Sequence, residues 1–239
     1  MSGAILNSEA TVSAARRAGE AVAAGKPPDH GKLAKLNTVA IFLKHPTPGK
    51  VKTRLAKQLG NRRAAAVYSA MAKDVVKSAE RGARIFFDPP EMEKEIRRWL
   101  GGFPGAFSPQ SGDSLGGRMA NAIGLCLREG SEKVVVIGTD CPDITPAIIA
   151  GAFERLDGAD VVIGPCEDGG YYLIGMRRLY RELFCGIEWS SNSVTARTVE
   201  KAEALSLKVS MLQTLRDIDE AEDLGGRFES YLQNGGETS

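Results

Sequence analysis

The stretch Val134-Val135-Val136-Ile137-Gly138-Thr139-Asp140-Cys141-Pro142-Asp143 constrains this chain more than any other. Four consecutive β-branched residues without polar alternation read as a strand buried on both faces, the pattern of an α/β sheet. Gly-Thr-Asp then sets a carboxylate where that strand ends, and open α/β sheets bind their ligands outside that edge. Pro142 stops the strand, and Thr145-Pro146 forms an N-cap and first-turn pair for the next helix, so Asp140 sits on a short, constrained turn. A carboxylate held there can set a divalent metal against a phosphate. The plainer alternative is an aspartate that only caps the turn.

With 239 residues, 43% of them apolar, the chain has room for one large α/β domain. Lys plus Arg number 31 against 30 Asp plus Glu, and a net charge of +1 gives no bulk electrostatic reason to expect nucleic acid or a membrane surface as partner. Phosphate binding must then come from a local cluster. No apolar run approaches the roughly 20 residues of a membrane span. The cysteines, 126, 141, 166 and 185, form no CxxC pair, and the histidines are His30 and His45, which speaks against a structural zinc site and for reduced thiols in the cytoplasm. Residues 1–36, rich in Ala, Gly and Ser and broken at Lys26-Pro27-Pro28-Asp29, read as a loosely ordered extension with at most a marginal helix over Thr11–Ala24. A single domain over 37–239 follows.

The domain opens with a strand at Thr38–Lys44, after which two prolines and a glycine make His45-Pro46-Thr47-Pro48-Gly49 a loop. Lys50, Lys52 and Arg54 come next, ahead of an alanine-rich helix over 62–80. Strand, glycine-containing loop, cations and helix is an order that can surround a phosphate, although neither GxxxxGK[ST] nor GxGxxG is present. A solvated basic turn is the alternative. Strands at 83–88 and, more weakly, 103–110 flank a helix at 91–100. Gln110-Ser111-Gly112-Asp113-Ser114-Leu115-Gly116-Gly117-Arg118-Met119 then opens a helix running to about Arg128, capped by Ser114 or Asp113. Arg118 in its first turns opposes the macrodipole unless an anion is near, which makes it a ligand candidate as well as a plain surface arginine.

Beyond a helix at 147–156, Asp160–Pro165 and Tyr171–Gly175 read as two strands of a hairpin with Cys166-Glu167-Asp168-Gly169-Gly170 at its tip. Asp-Gly is ordinary hairpin chemistry; the second glycine and the two tyrosines add the expectation of a floor for a flat ligand. Trp189-Ser190-Ser191-Asn192-Ser193 leads into a helix at 194–205, and 208–215 reads as the last strand. Asp217-Ile218-Asp219 with Glu220, Glu222 and Asp223 precedes a terminal helix; the later acids suit a helix start, whereas Asp217 and Asp219 alternate along an extended segment and point the same way. One of them can add a second ligand to a metal on Asp140.

Taken in order, Lys44-His45-Pro46, Pro48-Gly49-Lys50-Val51-Lys52-Thr53-Arg54-Leu55, Leu115-Gly116-Gly117-Arg118-Met119, Gly138-Thr139-Asp140-Cys141-Pro142, Gly164-Pro165 with Asp168-Gly169-Gly170-Tyr171-Tyr172, Trp189-Ser190 and Asp217-Ile218-Asp219 with Glu222-Asp223-Leu224 resemble a bacterial family of glycosyltransferases linked to radical-SAM or arsenosugar biosynthesis, across residues of about 38 to 225. The resemblance implies the nucleotide-diphospho-sugar transferase (GT-A, Rossmann-like) fold, a three-layer α/β/α sandwich on a mostly parallel mixed sheet. More distantly, Lys52-Thr53-Arg54-Leu55 is similar to a motif of the guanylyltransferases that activate phospholactate for a deazaflavin cofactor. The Asp140-x-Pro turn is similar to that family and to the molybdenum-cofactor guanylyltransferases.

The site implied by the resemblance has Lys44, Gly49, Lys52, Arg54, Gln110, Leu115, Gly116, Arg118 and Thr139 around a nucleotide. Asp140 with Asp219, or less directly Asp217, would hold Mg²⁺ or Mn²⁺, and Asp168, Gly169, Gly170, Tyr171 and Trp189 would face the sugar and acceptor. Asp168, Lys52 and Arg54 carry the catalytic roles, and the partners are small-molecule substrates. GT-A glycosyltransferases usually carry Asp-x-Asp, whereas Pro142 stands in the third position here and leans toward the nucleotidyltransferases. The expectation is a metal-dependent glycosyltransferase using a nucleotide-diphospho-sugar donor and a small-molecule acceptor. The alternatives are a nucleotidyltransferase that joins an NTP to a phosphorylated metabolite and a non-catalytic nucleotide-binding protein.

Overall fold

The central strand forms as its composition dictates: β4, Ser131–Ile137, is fully buried from Val134 to Ile137. A computed structural model describes residues 36–233 apart from 80, 81 and 190, and these fall in one compact unit. The extension expected over 1–36 lies outside the described residues except for Leu36, which already belongs to the first strand, β1, Leu36–Lys44. The remaining strands are β2 (Ala83–Asp88), β3 (Ala106–Pro109), β5 (Val161–Pro165), β6 (Tyr171–Met176) and β7 (Val209–Met211).

The seven strands lie in the order β3-β2-β1-β4-β6-β5-β7, all parallel to β1 except β6, which runs antiparallel to both β4 and β5. Chain direction through the sheet reverses between β1 and β4: β2 and β3 extend to one side, later strands to the other. In open α/β sheets such a switch point is where a ligand crevice forms, here at the carboxyl ends of β1 and β4.

Helices cover both faces. On one, Val75 and Val76 of α2 (Asn61–Ser78), Ile96 of α3 (Glu93–Trp99) and Ile149 and Ala152 of α5 (Pro146–Arg155) pack on Val39, Ile41, Leu43, Val135 and Ile137. On the other, Met119, Ile123 and Cys126 of α4 (Leu115–Arg128) and Ala202 of α6 (Val194–Ala204) pack on Ala40, Phe42, Val134 and Val136. Alternate residues of β1 and β4 thus enter two different cores, which is why neither strand shows a polar face.

Four expected elements differ in detail. A short helix α1, Thr53–Leu59, precedes α2, split from it by Gly60 at φ 78°. The helix expected from residue 91 opens as a 3₁₀ turn, Pro90–Met92, before α3. The strand expected over 208–215 is only Val209–Met211, although Leu215 makes an isolated bridge to Cys166. After the acidic run come only 3₁₀ turns at Ala221–Asp223 and Gly226–Phe228 and a short α7, Ser230–Gln233, because Gly225 and Gly226 interrupt any continuous helix.

Candidate active site

The loop after β1 turns back over the sheet edge and ends at Lys52, whose left-handed backbone (φ 46°, ψ 51°) immediately precedes α1. That turn drives the Lys52 side chain inward, leaving it 6% exposed, and its Nζ ion-pairs with Oδ1 of Asp140, which is 55% exposed on the turn after β4. Asp219 lies beside them, its Oδ1 3.9 Å from Lys52 Nζ and its Oδ2 accepting a 2.9 Å hydrogen bond from Arg54 Nη1. The Ile218 N–H donates to the Asp140 carbonyl at 3.0 Å and ties the late acidic segment to the β4 turn. Residues 52 and 54 therefore meet residues 140 and 219, between 86 and 167 positions away in sequence, at the switch point.

The electrostatics follow from this packing. Burial by itself would lower the Lys52 pKa, but the charges of Asp140, Asp219 and Asp217 overcome it and raise it, so the ammonium stays protonated at neutral pH. Asp217 is pushed above the usual carboxylate value by burial and then by the facing Asp168 carboxylate. One ligand atom each from Asp217, Asp168 and Cys166 all lie within 4.8 Å of one another. Asp168 stands exposed at the β5–β6 tip, its Oδ1 accepting from Gly170 N at 2.8 Å.

Several residues expected at the ligand are committed elsewhere. Thr139 is buried and donates to the Tyr68 hydroxyl at 3.2 Å, so it faces the core under the turn. Gln110 donates its side-chain amide to the carbonyls of Leu43 and Phe86, bracing the ends of β1 and β2. Arg118 has its anion within the fold: its Nη1 is 3.4 Å from Asp88 Oδ2, and its Nε donates to the Gly112 carbonyl. Gly116 is a packing position, since a Cβ there would sit 2.4 Å from the Trp189 ring, and Trp189 in turn meets Tyr171 edge-on at 6.3 Å. The two tyrosines do not form one floor. Alternation along β6 sends them to opposite faces: Tyr172 is buried in one core, donating to the Gln213 carbonyl, while the Tyr171 hydroxyl is buried in the other, near Thr198. Lys44 and Leu115 are exposed at the crevice side of their elements, and Gly49 takes φ 78° in the turn toward Lys52.

Gly169 explains how the tip is held. Its φ is 88°, and a Cβ would lie 2.0 Å from the Asn192 carbonyl oxygen, while the Thr195 N–H donates to the Gly169 carbonyl at 2.9 Å. The tip is therefore docked against the entry to α6, which fixes Asp168. One residue escapes motif reading altogether: Tyr68, a buried tyrosine of α2, accepts from the Lys44 N–H at 2.8 Å and from Thr139, and so joins the β1 loop to the β4 turn. A tyrosine amid the alanines of that helix is the only signal it leaves in the sequence.

This architecture has counterparts. A family described as "Uncharacterized protein conserved in bacteria (DUF2064)" matches residues 71–191, a stretch that holds Arg118, Asp140 and Asp168 but not Lys52, Arg54 or Asp219. The crystal structure of a protein from Desulfovibrio desulfuricans G20, named as a proposed nucleotide-diphospho-sugar transferase, is similar at 35% identity and a TM-score of 0.76, over 80% of this chain and 85% of that one. At 13% identity, a nucleotidyl transferase from Methanothermobacter thermautotroptrophicus shares the fold, with a TM-score of 0.56 over 84% of this chain and 99% of that one. So does a 4-diphosphocytidyl-2C-methyl-D-erythritol synthase from Anaerococcus prevotii DSM 20548, also at 13% identity, with a TM-score of 0.53 over 84% and 99%. Among curated proteins, none matches the chain.

Proposed function

The chain belongs to the DUF2064 family of bacterial proteins, and from that premise we propose that it is a metal-dependent transferase that takes a nucleotide-diphospho-sugar as donor and a small molecule as acceptor. The observation that carries this reading is the meeting of Lys52, Arg54, Asp140 and Asp219 at the switch point of the sheet. Two cations face two carboxylates where an α/β sheet binds ligands, and a fold alone requires no such pairing. The similar Desulfovibrio protein, named for the same donor class, supports the donor, and the resemblance's link to radical-SAM or arsenosugar chemistry belongs to this proposal as its account of the acceptor.

The residues present fit a hard divalent cation, because carboxylate oxygens are its preferred donors and Asp140 is open to the crevice. Asp140 and Asp219 would hold Mg²⁺ or Mn²⁺, which when bound supplies positive charge against the leaving diphosphate. Lys52 and Arg54, paired with carboxylates in the free protein, exchange these partners for phosphate oxygens as the donor enters. Lys52 keeps its proton and acts as a fixed charge rather than as a base. Asp168, held by Gly170 N through Oδ1, is left with Oδ2 to orient an acceptor hydroxyl or accept its proton.

A second reading, nucleotidyl transfer from an NTP to a phosphorylated metabolite, is favoured by Pro142 in the third position of the Asp140 turn. Product analysis separates the two. Incubated with UDP-, GDP-, ADP- and CDP-sugars and Mn²⁺, the protein is expected to release nucleoside diphosphate, and Asp140→Asn to lose at least about 100-fold in rate, the scale of one electrostatic contact to a transition state. Pyrophosphate release from NTPs with no diphosphate release from sugar nucleotides would replace the first reading with the second.

A further inference from the structure

We infer that Cys141, Cys166, Asp168 and Asp217 form a binding site for one thiophilic divalent cation of the Zn²⁺ class, separate from the Asp140–Asp219 pair. Cys141 leaves the turn after β4, Cys166 and Asp168 stand on the β5–β6 connection, and Asp217 lies ahead of the 3₁₀ turn, so three loops of the carboxyl edge converge there. The Cys141 and Cys166 sulfurs are 3.4 Å apart, and one atom each from Cys166, Asp168 and Asp217 fall within 4.8 Å of one another. Zinc binds thiolate at about 2.3 Å and carboxylate oxygen at about 2.0–2.2 Å in a tetrahedron, so its ligand atoms lie about 3.3–3.8 Å apart. Cys166, Asp168 and Asp217 approach this spacing, and Cys141 adds a fourth ligand from its place against the Cys166 sulfur.

Chemistry selects the class of ion. Cys141 is 1% exposed, and among the described residues its thiol pairs with that of the half-buried Cys166, so two weak acceptors face each other at the margin of the core. Asp217 and Asp168 bring like charges to the same spot, one oxygen of each lying within 4.8 Å of the other and of the Cys166 sulfur. A cation relieves both conditions. Thiolate ligands select zinc-like ions, whereas Mg²⁺ takes oxygen almost exclusively, so this set and the carboxylate pair at Asp140 and Asp219 sort different metals. The inference does not depend on the reaction proposed above, but it bears on it: a carboxylate committed to an ion is not a proton acceptor, so an occupied site makes Asp168 orient an acceptor through the ion.

The full-length protein, reduced and stripped of metal, tests this by titration with Co²⁺ and with Zn²⁺ against a chromophoric chelator. One equivalent of Co²⁺ is expected to give a near-ultraviolet thiolate-to-metal band, one equivalent of Zn²⁺ to abolish it, and excess Mg²⁺ to leave it unchanged. Cys166→Ser should remove the band, and the exposed Asp168→Asn should weaken affinity by at least about 10-fold, the lower end of what even an outer ligand partner contributes. Cys185→Ser should have no effect. The inference is overturned if no band forms, if the band survives Cys166→Ser, or if it is lost with Cys185→Ser. Because Asp168 is exposed and asparagine can still accept from Gly170 N, that variant stays folded and decides the matter even if Cys166→Ser does not fold.

Discussion

Lys52 combines a left-handed backbone, which costs a side-chain-bearing residue about 1–2 kcal/mol, with an almost buried ammonium. Both are retained because the same turn that strains the backbone carries Nζ to Asp140. The pairing has a titration signature. Since the folded protein holds the Lys52 proton more tightly than the unfolded chain, its stabilisation is complete below the ordinary lysine value of 10.5 and is lost as pH climbs through the raised folded value. Tyr68 adds a loss of the same sign above pH 10.0, because burial and then Asp140 push its folded pKa upward while the unfolded phenol ionises normally. Denaturant midpoints are expected to fall steeply above about pH 10, with Lys52→Met and Tyr68→Phe each flattening part of the alkaline limb. An unchanged limb in Lys52→Met would mean that the pair is not formed in solution. At this scale, charged residues on turns were legible in the sequence, because Asp140, Lys52 and Arg54 each follow a strand or a proline-glycine loop. The partners of Thr139, Gln110 and Arg118 were not, because Tyr68, the Leu43 and Phe86 carbonyls and Asp88 sit on other elements.

In the proposed reaction the β5–β6 hairpin is the element on which the acceptor side depends, and Gly169 is its weak point. Alanine there would combine a φ of 88° with a Cβ 2.0 Å from the Asn192 carbonyl oxygen, and backbone oxygen cannot swing aside as a flexible side chain does. Gly169→Ala should therefore destabilise by more than the roughly 1 kcal/mol of a positive-φ position alone. For a domain of this size that lowers Tm by more than about 2–4 °C, measurable by calorimetry. Gly151, on α5 with open space around it, is the contrasting site where Gly→Ala should be neutral or stabilising. The hairpin, its tip and most strands were readable from Asp-Gly-Gly and from runs of β-branched residues. The pairing of Cys141 with Cys166 was not, because 25 residues and a helix separate them. They meet because β4 and β5 run parallel and end at the same sheet edge on either side of β6, a topological fact that no local spacing encodes.

For the whole molecule, a net charge of +1 means that attraction for a polyanionic ligand must be local, confined to the cations after β1. Binding there should stabilise the fold by linkage: a ligand at 100 times its Kd adds about 2.7 kcal/mol, or about 5–10 °C in Tm for a domain of this size. The three functional classes then give three patterns in thermal unfolding. Stabilisation by a nucleotide-sugar that requires Mn²⁺ and disappears in Asp140→Asn is expected. A shift with NTPs alone would favour nucleotidyl transfer, and a shift indifferent to both metal and Asp140 would reduce the protein to a nucleotide-binding module. Because Lys52 and Arg54 must leave Asp140 and Asp219 to meet phosphate, Lys52→Met should lose most of the ligand-induced shift even where its own Tm in the absence of ligand is little changed. A ligand shift equal to that of the unmodified protein would show that the phosphates bind elsewhere on the sheet edge.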